Sequence, residues 1–250
     1  MTELKEFTAL VTGANRGIGA AFAAELLAQG AKVYAAARNP ADMPEDLLEA
    51  GAVPVALDVT DTAQVRAAAT ACPDVSLLIN NAGHFAGQRL VMADDPDAAR
   101  AEMEVNYFGP LNTTRAFAPV LGANGGGAII NVLSVAAIAP TAFMGGYSPS
   151  KAATLYLSGI TRAELEPQGT RVTALIVGSV DTRMAGHVEG QKEKPSDIAK
   201  AGLKAMLRGE HVADTDWMAI ESRARLARDP ARYERGLAKL LHAANLRTGR

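Results

Sequence analysis

The sequence has a single cysteine, few aromatic residues and no excess of either charge. Cys72 has no second cysteine to pair with, so an intramolecular disulfide is excluded. Aromatic residues make up only 5% of the 250 residues, whereas 48% are hydrophobic. A chain of this length buries roughly 75% of its unfolded surface without a covalent staple. The formal net charge of −2 argues against nucleic acid or an anionic membrane as a partner.

Long apolar runs are also absent. No stretch of about 18 uncharged apolar residues occurs, as a membrane-spanning helix would require. The first ten residues, Met1–Leu10, have neither the basic region nor the apolar region of a signal peptide. These absences predict a cytoplasmic protein with no membrane partner.

Short β-branched runs alternate along the chain with longer segments rich in alanine and leucine. The strand candidates, several of them almost continuously apolar, are Phe7–Val11, Lys32–Ala36, Val53–Leu57, Leu77–Ile79, Ala128–Leu133 and Arg171–Val177. The helix candidates are Ile18–Gln29, Ala63–Thr70, Asp97–Leu121 and Ser150–Glu166. This alternation predicts a parallel sheet with right-handed crossovers and helices on both faces. We expect residues 1–250 to form one doubly wound α/β domain with a mostly parallel sheet of about seven strands.

The C-terminal segment 209–250 has a different character. From Glu221 to Arg250, eight basic residues stand against three acidic ones. Apolar residues recur at helical spacing, namely Tyr233, Leu237, Leu240 and Leu241. This pattern predicts a helical extension whose apolar stripe docks on the body or on a partner subunit. A basic recognition helix is the alternative, but no accompanying motif supports it.

A glycine-rich turn follows the first strand candidate and opens an apolar helix. The segment Thr12–Gly19 has the spacing G-x-x-x-G-x-G. Glycines let the backbone approach a pyrophosphate, and the helix N-terminus offers free N–H groups and a partial positive charge. A purely structural turn is the alternative, but the strand before it and the helix after it favour a dinucleotide site. The residues expected to bind there are Gly13, Asn15, Arg16, Gly17, Ile18 and Gly19.

The end of the second strand candidate indicates which dinucleotide binds. An NAD site places an acid there to accept hydrogen bonds from the ribose 2′-hydroxyl. Here the strand ends in Ala37-Arg38, with no acid. Arg38 can bind a 2′-phosphate through charge-assisted hydrogen bonds, and Arg16 is placed to reach the same group. The pair predicts NADP(H) as the cofactor.

Polar residues follow two further strand candidates. Asp58-Val59 follows the third, where the carboxylate can accept a hydrogen bond from the adenine amino group; capping of the next helix is the alternative. The segment Asn80–Gly83 follows the fourth, where its amides can tie neighbouring strand ends together and Gly83 leaves room for a ribose. We expect cofactor contacts at Asp58, Val59, Asn81, Ala82 and Gly83.

A tyrosine and a lysine lie four residues apart at the start of a helix candidate. Tyr147 and Lys151 therefore share one helical face, and Pro149 between them falls in the first turn, where no N–H is needed. A free tyrosine titrates at about 10, so its use as a base near neutral pH requires a nearby positive charge. Ser134, after the fifth strand candidate, is placed to donate a hydrogen bond to a substrate oxygen. The set indicates acid–base chemistry at a carbonyl or alcohol group.

These motifs occur in a characteristic order. Together, Thr12–Gly19, Asp58, Asn80–Gly83, Asn106, Ser134, Tyr147 and Lys151 resemble the short-chain dehydrogenase/reductase family in its branch of roughly 250 residues, with a Rossmann-type fold. The resemblance implies that Tyr147 is the catalytic acid/base and that Ser134 orients the substrate oxygen. It implies that Lys151 lowers the pKa of Tyr147 and binds the nicotinamide ribose. It also implies that Asn106 holds a water in a proton relay with Lys151.

Two departures from the family pattern stand out. After the sixth strand the family has Pro-Gly and then a threonine, whereas this chain has Val177-Gly178 and then Thr182. We still expect cofactor contacts at Gly178, Val180 and Thr182. The segment Gly209–Asp214 lacks the Asp-Gly-Gly ending of ketoreductases of fatty-acid synthesis. This departure argues against that role and against the tetramer contact usual for those enzymes.

The substrate pocket is expected near Tyr147 and after the sixth strand. Its candidates are mostly apolar and comprise His84, Phe85, Val135, Ala136, Phe143, Met144, Ser179 and Met184. No metal is expected. Residues 183–195, which include Gly186 and Gly190, are predicted to form a lid.

The sequence predicts hydride transfer between NADP(H) and a small-molecule carbonyl or alcohol, with reduction of a hydrophobic ketone or aldehyde favoured. A catalytically silent NADP(H)-binding regulator is the alternative. By resemblance, the helix candidates Asp97–Leu121 and Ser150–Glu166 would pair in a homodimer or homotetramer.

Overall fold

The computed structural model of the protein describes residues 3–186 and 190–248. In this part of the chain seven strands form one parallel sheet, in the order β3-β2-β1-β4-β5-β6-β7. The strands are β1 Thr8–Thr12, β2 Lys32–Ala37, β3 Val53–Ala56, β4 Leu77–Asn80, β5 Ala128–Val132, β6 Arg171–Ile176 and β7 Val212–Asp214. The predicted doubly wound α/β fold is confirmed, and the described sheet is parallel throughout.

Helices connect the strands and cover both faces of the sheet. They are α1 Gly17–Ala28, α2 Glu45–Glu49, α3 Thr62–Ala71, α4 Ala98–Met103, α5 Gly109–Ala123, α6 Tyr147–Leu165, α7 Pro195–Leu207, α8 Trp217–Arg228 and α9 Pro230–Thr248. Over the described ranges, no helix combines the length and the apolar character needed to cross a bilayer.

Two helices differ from their sequence predictions. The expected single helix Asp97–Leu121 is divided into α4 and α5 by a π-helical turn at Glu104–Phe108. Helix α6 begins at Tyr147 rather than at Ser150, so Pro149 lies in its first turn as expected.

The seventh strand was not located from the sequence. Strand β7 lies inside 209–250, the segment expected to be helical, and pairs with Ala174–Ile176 of β6. Its three residues are too few for a recognisable alternation of apolar and polar side chains. The helical part of this segment begins only at Trp217. Of the predicted apolar stripe, Leu240 is 52% exposed, whereas Tyr233 and Leu237 are half-buried.

The core is divided between the two faces of the sheet. Phe22 of α1 is fully buried with α7 on one face, where Gly202 permits close contact: a Cβ there would lie 2.5 Å from Leu175 Cδ1. Phe117 of α5 is fully buried on the other face with residues of α3. Because both faces are covered, the central strands are almost continuously apolar.

The carboxyl ends of the strands place the functional residues. The chain order reverses between the adjacent strands β1 and β4, and a crevice forms at such a switch point in open α/β sheets. The glycine turn follows β1, Asn81 follows β4 and Ser134 follows β5. Residues far apart in the sequence are therefore brought to one edge of the sheet.

Both buried phenylalanines are expected to be essential for stability. Phe22→Ala and Phe117→Ala should each lower the free energy of unfolding by about 3–5 kcal/mol, because each leaves a cavity in one layer of the core. Urea denaturation measures the loss, and Leu48→Ala at a 41% exposed position serves as the control. A variant of either phenylalanine as stable as the wild type would contradict the two-layer core.

Candidate active site

The glycine turn packs closely against the segment after β4. Gly13 and Gly17 have φ values of +66° and +57°, in the left-handed region that favours glycine. Gly19 is buried in the first turn of α1, where a Cβ would overlap Gly13 O and Asn81 Nδ2. Helix α1 begins at Gly17, directly after the turn, and the free N–H groups of a helix N-terminus favour an anion.

Hydrogen bonds between β1 and β4 fix this turn. The Asn81 Nδ2 group donates to Thr12 O at 2.9 Å and to Gly13 O at 3.2 Å. The Thr12 hydroxyl accepts from the backbone N–H groups of Asn81 and Ala82 at 2.9 and 3.0 Å. The prediction that amides of Asn80–Gly83 tie strand ends together is confirmed, and Asn80 itself donates to Asn131 Oδ1 at 2.8 Å.

Two exposed arginines flank the same edge of the sheet. The turn is anchored to the end of β2 by a hydrogen bond from Ala14 N to Ala36 O at 3.0 Å. Arg16 lies two residues after Ala14, and Arg38 directly follows β2; both side chains are exposed. The backbone thus places both arginines at the edge of the sheet where the sequence predicts the cofactor, and the 2′-phosphate contact stays a prediction.

The end of β3 carries a hydrogen-bonded turn. Asp58 Oδ1 accepts from Thr60 N at 2.9 Å and from Thr60 Oγ1 at 2.7 Å. Asp61, and not Asp58, caps α3 by accepting from the backbone N–H of Ala63 at 2.8 Å. Val59 is buried beneath α5. The adenine contacts of Asp58 and Val59 stay a prediction.

Ser134, Tyr147 and Lys151 meet beyond the carboxyl end of β5. The Ser134 side chain lies close enough to the Tyr147 hydroxyl to act on its pKa. Lys151 lies one turn later in α6, with its Nζ 5.6 Å from the Tyr147 ring centroid. The same Nζ donates to Val132 O at 3.0 Å. A hydroxyl pair and an amine thus share one site, as the sequence predicts.

The pKa values of this group differ from the expectation. Burial raises the pKa of Tyr147 to about 12; the hydrogen bond to Ser134 lowers it and the Glu102 carboxylate raises it further. Burial lowers the pKa of Lys151 to about 8. Lys151 is not among the groups that shift the pKa of Tyr147 here, and the lowering that the resemblance implies for it stays a prediction. At neutral pH the site holds a protonated tyrosine beside a charged lysine.

Asn106 lies in the π-helical turn and is fully buried. Pro110, four residues later, has no N–H to donate to Asn106 O, which accepts from the Thr154 hydroxyl at 2.6 Å instead. The Asn106 side chain accepts from His84 N and donates to His84 O, both at 2.8 Å. It also donates to Ser150 Oγ at 2.9 Å. Asn106 therefore joins the loop after β4 to α6.

The loop after β4 leaves a small polar space at Gly83. A Cβ on Gly83 would lie 3.4 Å from Asn106 Oδ1 and 3.7 Å from Lys151 Nζ. Both atoms therefore border the same point, where the sequence places a ribose. The water relay implied for Asn106 stays a prediction.

The segment after β6 lies against the glycine turn. A Cβ on Gly17 would lie 3.2 Å from Thr182 Cγ2. The Gly178 N–H donates to Asp216 Oδ2 at 2.7 Å, and Asp216 also caps α8. This carboxylate restrains the segment that lacks the family proline.

The predicted pocket residues lie in different surroundings. His84 is exposed, Met184 is 42% exposed, and Ser179 Oγ lies 3.8 Å from Met218 Sδ of α8. Val135 directly follows Ser134 and is half-buried, as are Phe143 and Met144 in a short turn that packs against α9.

The predicted lid 183–195 falls partly outside the described residues. Backbone hydrogen bonds join the segment that precedes it to Glu193 near its C-terminal end: Asp181 N donates to Glu193 O and Glu193 N donates to Ser179 O, both at 2.9 Å.

Sequence reasoning missed several residues of the site. Glu102 is buried one helical turn before Asn106, and the spacing of four residues was the available signal. Ser150, Thr154 and Asp216 were not singled out, because only the packing of α6 and α8 gives them their partners.

Comparisons with known proteins agree with this arrangement. A family model described as short chain dehydrogenase matches residues 7–193. An uncharacterized oxidoreductase of Staphylococcus saprophyticus is 32% identical over 225 residues, which cover 85% of this chain and 96% of that protein.

Solved structures extend the similarity. A short chain dehydrogenase from Burkholderia cenocepacia in complex with NADP matches with a TM-score of 0.90 and 42% identity, over 94% of this chain and 99% of that chain. A short chain dehydrogenase/reductase from Burkholderia phymatum in complex with NAD matches with a TM-score of 0.80 and 28% identity, over 90% and 94% of the two chains.

Two glycine substitutions should separate the packed part of the site from its open part. Gly19→Ala should lower the free energy of unfolding by about 2 kcal/mol or more, because its methyl group meets backbone that cannot yield. Gly83→Ala should change it by less than about 0.5 kcal/mol, because the neighbouring atoms lie at ordinary contact distances. Urea denaturation of the two variants measures both values. Equal stabilities would contradict the tight approach of Gly19 to Gly13 and Asn81.

Proposed function

Because the chain belongs to the short-chain dehydrogenase/reductase family, we propose that it transfers a hydride between NADP(H) and a carbonyl or alcohol substrate. The direction we propose is reduction of a hydrophobic ketone or aldehyde. The observation that carries this proposal is that Ser134, Tyr147 and Lys151 meet beyond the carboxyl end of β5, with Lys151 Nζ 5.6 Å from the Tyr147 ring centroid and 3.0 Å from Val132 O.

The residues around the glycine turn fit a dinucleotide. Gly13, Gly17 and Gly19 allow the tight turn and the close packing that bring the start of α1 to this edge of the sheet, where its N–H groups can bind the pyrophosphate. Gly83 leaves space for a ribose beside Lys151. When bound, the cofactor supplies the hydride that reduces the substrate carbon.

The charge pattern favours NADP(H) over NAD(H). Arg16 is exposed in the glycine turn after β1, Arg38 is exposed directly after β2, and no carboxylate directly follows β2. An acid there would repel a 2′-phosphate, whereas two guanidinium groups attract it. The NADP complex of the 42% identical Burkholderia cenocepacia protein supports this choice, although the 28% identical protein was solved with NAD.

The proton chemistry follows from the state of the side chains. Ser134 and Tyr147 can donate hydrogen bonds to one substrate oxygen, which polarises the carbonyl and places its carbon for attack. Tyr147 then gives its proton to that oxygen as negative charge develops. Lys151 is positively charged below its pKa of about 8 and stabilises the phenolate that remains.

Apolar surroundings favour a hydrophobic substrate. Phe85 contacts the Tyr147 ring edge-on at 5.5 Å, and Val135 follows Ser134. Phe143 and Met144 lie in the turn that helix α9 covers, so the C-terminal helix would limit how far a substrate extends. We propose that residues 183–195, which include Gly186 and Gly190, form a lid over the site.

Exposed apolar residues on α6 support self-association. Tyr156 is 77% exposed and Ile160 is 57% exposed, one helical turn apart. We propose that this face pairs with its copy in a homodimer or homotetramer of a cytoplasmic enzyme.

NADPH consumption tests the proposed function. Purified protein should oxidise NADPH in the presence of one or more members of a panel of hydrophobic ketones and aldehydes, followed by absorbance. Tyr147→Phe should lower kcat/KM at least about a hundredfold, because it removes the proton donor. Tight NADPH binding without any turnover would instead favour a regulatory protein, and failure to bind NADPH would refute the proposal.

Arg38→Asp tests the choice of cofactor. The substitution should lower the ratio of kcat/KM for NADPH to that for NADH by about tenfold or more, because it replaces a charge-assisted hydrogen-bond donor by a repelling carboxylate. Arg208→Asp makes the same charge change at the 62% exposed end of α7 and should leave the ratio unchanged. An unaltered ratio in Arg38→Asp would overturn the role of Arg38.

A further inference from the structure

A buried carboxylate lies behind the active site. Glu102 of α4 is 1% exposed, and burial raises its pKa. It precedes Asn106 by four residues, so the two side chains share one face of the helix. A charged group is costly to bury, and it persists only where polar groups compensate it.

The first compensating contact is with the loop after β4. Glu102 Oε1 accepts from the Ala86 N–H at 2.8 Å. The Asn106 side chain accepts from the N–H and donates to the carbonyl of His84. The residue between these two attachment points is Phe85, whose ring contacts Tyr147 edge-on. Glu102 and Asn106 together therefore fix the backbone on both sides of Phe85.

The second contact is with the start of α6. Glu102 Oε2 lies 2.6 Å from the position that a Cβ on Gly146 would occupy, and Gly146 directly precedes Tyr147. Only a glycine at this position permits the carboxylate to approach the helix N-terminus, whose partial positive charge favours an anion. The negative charge thus lies beside the residue that carries the reactive hydroxyl.

Titratable groups from two neighbouring elements surround this carboxylate. His84 of the loop favours the charged form of Glu102, and the ionised Glu102 disfavours the phenolate of Tyr147 on α6. Ser134 acts on Tyr147 in the opposite sense through its hydrogen bond. Lys151, with its Nζ 5.6 Å from the Tyr147 ring centroid, is the cation beside the same hydroxyl.

We propose that Glu102 is a positioning residue of the active site, which fixes Phe85 against Tyr147 and places a negative charge beside the start of α6, where it opposes ionisation of the Tyr147 hydroxyl. This proposal rests on the proposed function for its meaning in catalysis. In reduction the Tyr147 O–H bond breaks and its proton passes to the substrate oxygen, so the protonated form must be present beforehand. In oxidation the phenolate must accept the proton of the alcohol. Glu102 therefore shifts the pH range in which oxidation proceeds to higher pH.

Glu102→Gln separates the charge from the hydrogen bond. The amide oxygen can still accept from Ala86 N, so the loop should stay in place while the negative charge is lost. Glu104→Gln is the matched control, because Glu104 lies two residues later on the exposed side of the same helical segment.

Ionisation of Tyr147 measures the effect without any substrate. Phenolate absorbance near 295 nm is recorded for wild type and Glu102→Gln, each minus the same protein carrying Tyr147→Phe. At pH about 11 we expect Tyr147 to be roughly a tenth ionised in the wild type and about half ionised in Glu102→Gln, a shift of roughly one pH unit. Circular dichroism at the same pH verifies that the proteins are folded. Equal ionised fractions in the two proteins, or an equal increase in Glu104→Gln, would overturn the proposal.

The pH profile of alcohol oxidation provides the second measurement. It tests the same effect at lower pH and is used if the protein unfolds in strong alkali. The acidic limb of kcat/KM should move to lower pH by roughly one unit in Glu102→Gln and stay unchanged in Glu104→Gln. An unmoved limb in Glu102→Gln would overturn the proposal. If the wild type turns over no substrate while the Tyr147 titration shifts as expected, the proposed function fails and the effect of Glu102 on Tyr147 stands.

Discussion

The hydrogen bonds between Thr12 and Asn81 hold together the ends of β1 and β4, and the rest of the site is built around this contact. The Thr12 hydroxyl accepts from two successive N–H groups, while the Asn81 amide donates to two carbonyls of the glycine turn. Gly19 must lie directly against both strands for this arrangement to form. The start of α1 is therefore held at the point where the strand order reverses between β1 and β4, which is where an open parallel sheet can bind a ligand.

Desolvation governs the chemistry at the neighbouring strand end. Burial raises the pKa of Tyr147 and lowers that of Lys151, so the hydroxyl keeps its proton and the amine holds its charge only up to about pH 8. Buried polar groups are tolerated because each has partners: Asn106 binds His84 and Ser150, and Glu102 binds Ala86. The absence of an N–H at Pro110 leaves the Asn106 carbonyl available to Thr154. Local sequence and tertiary packing together therefore determine the surroundings of the proton donor Tyr147.

Much of this arrangement could be predicted from the sequence because it depends on local patterns. The apolar runs predicted six of the seven described strands, and the spacing of Tyr147 and Lys151 predicted their shared face. What escaped prediction depends on tertiary packing. Strand β7 is too short to show a pattern, and the π-helical turn at Asn106 is invisible to helical periodicity. The rise in the pKa of Tyr147 that burial causes was not predicted either, because the spacing of residues does not report desolvation.

The most direct measurement is a crystal structure of the protein grown with NADP⁺. We predict electron density for the pyrophosphate at the start of α1, for the 2′-phosphate between Arg16 and Arg38, and for the nicotinamide ring beside Tyr147. Such density would place the hydride-bearing carbon next to the proton donor, as reduction of a carbonyl requires. A nucleotide bound with its nicotinamide away from Tyr147, or a crevice that stays empty at saturating NADP⁺, would contradict the assignment of this edge of the sheet as an NADP(H)-dependent active site.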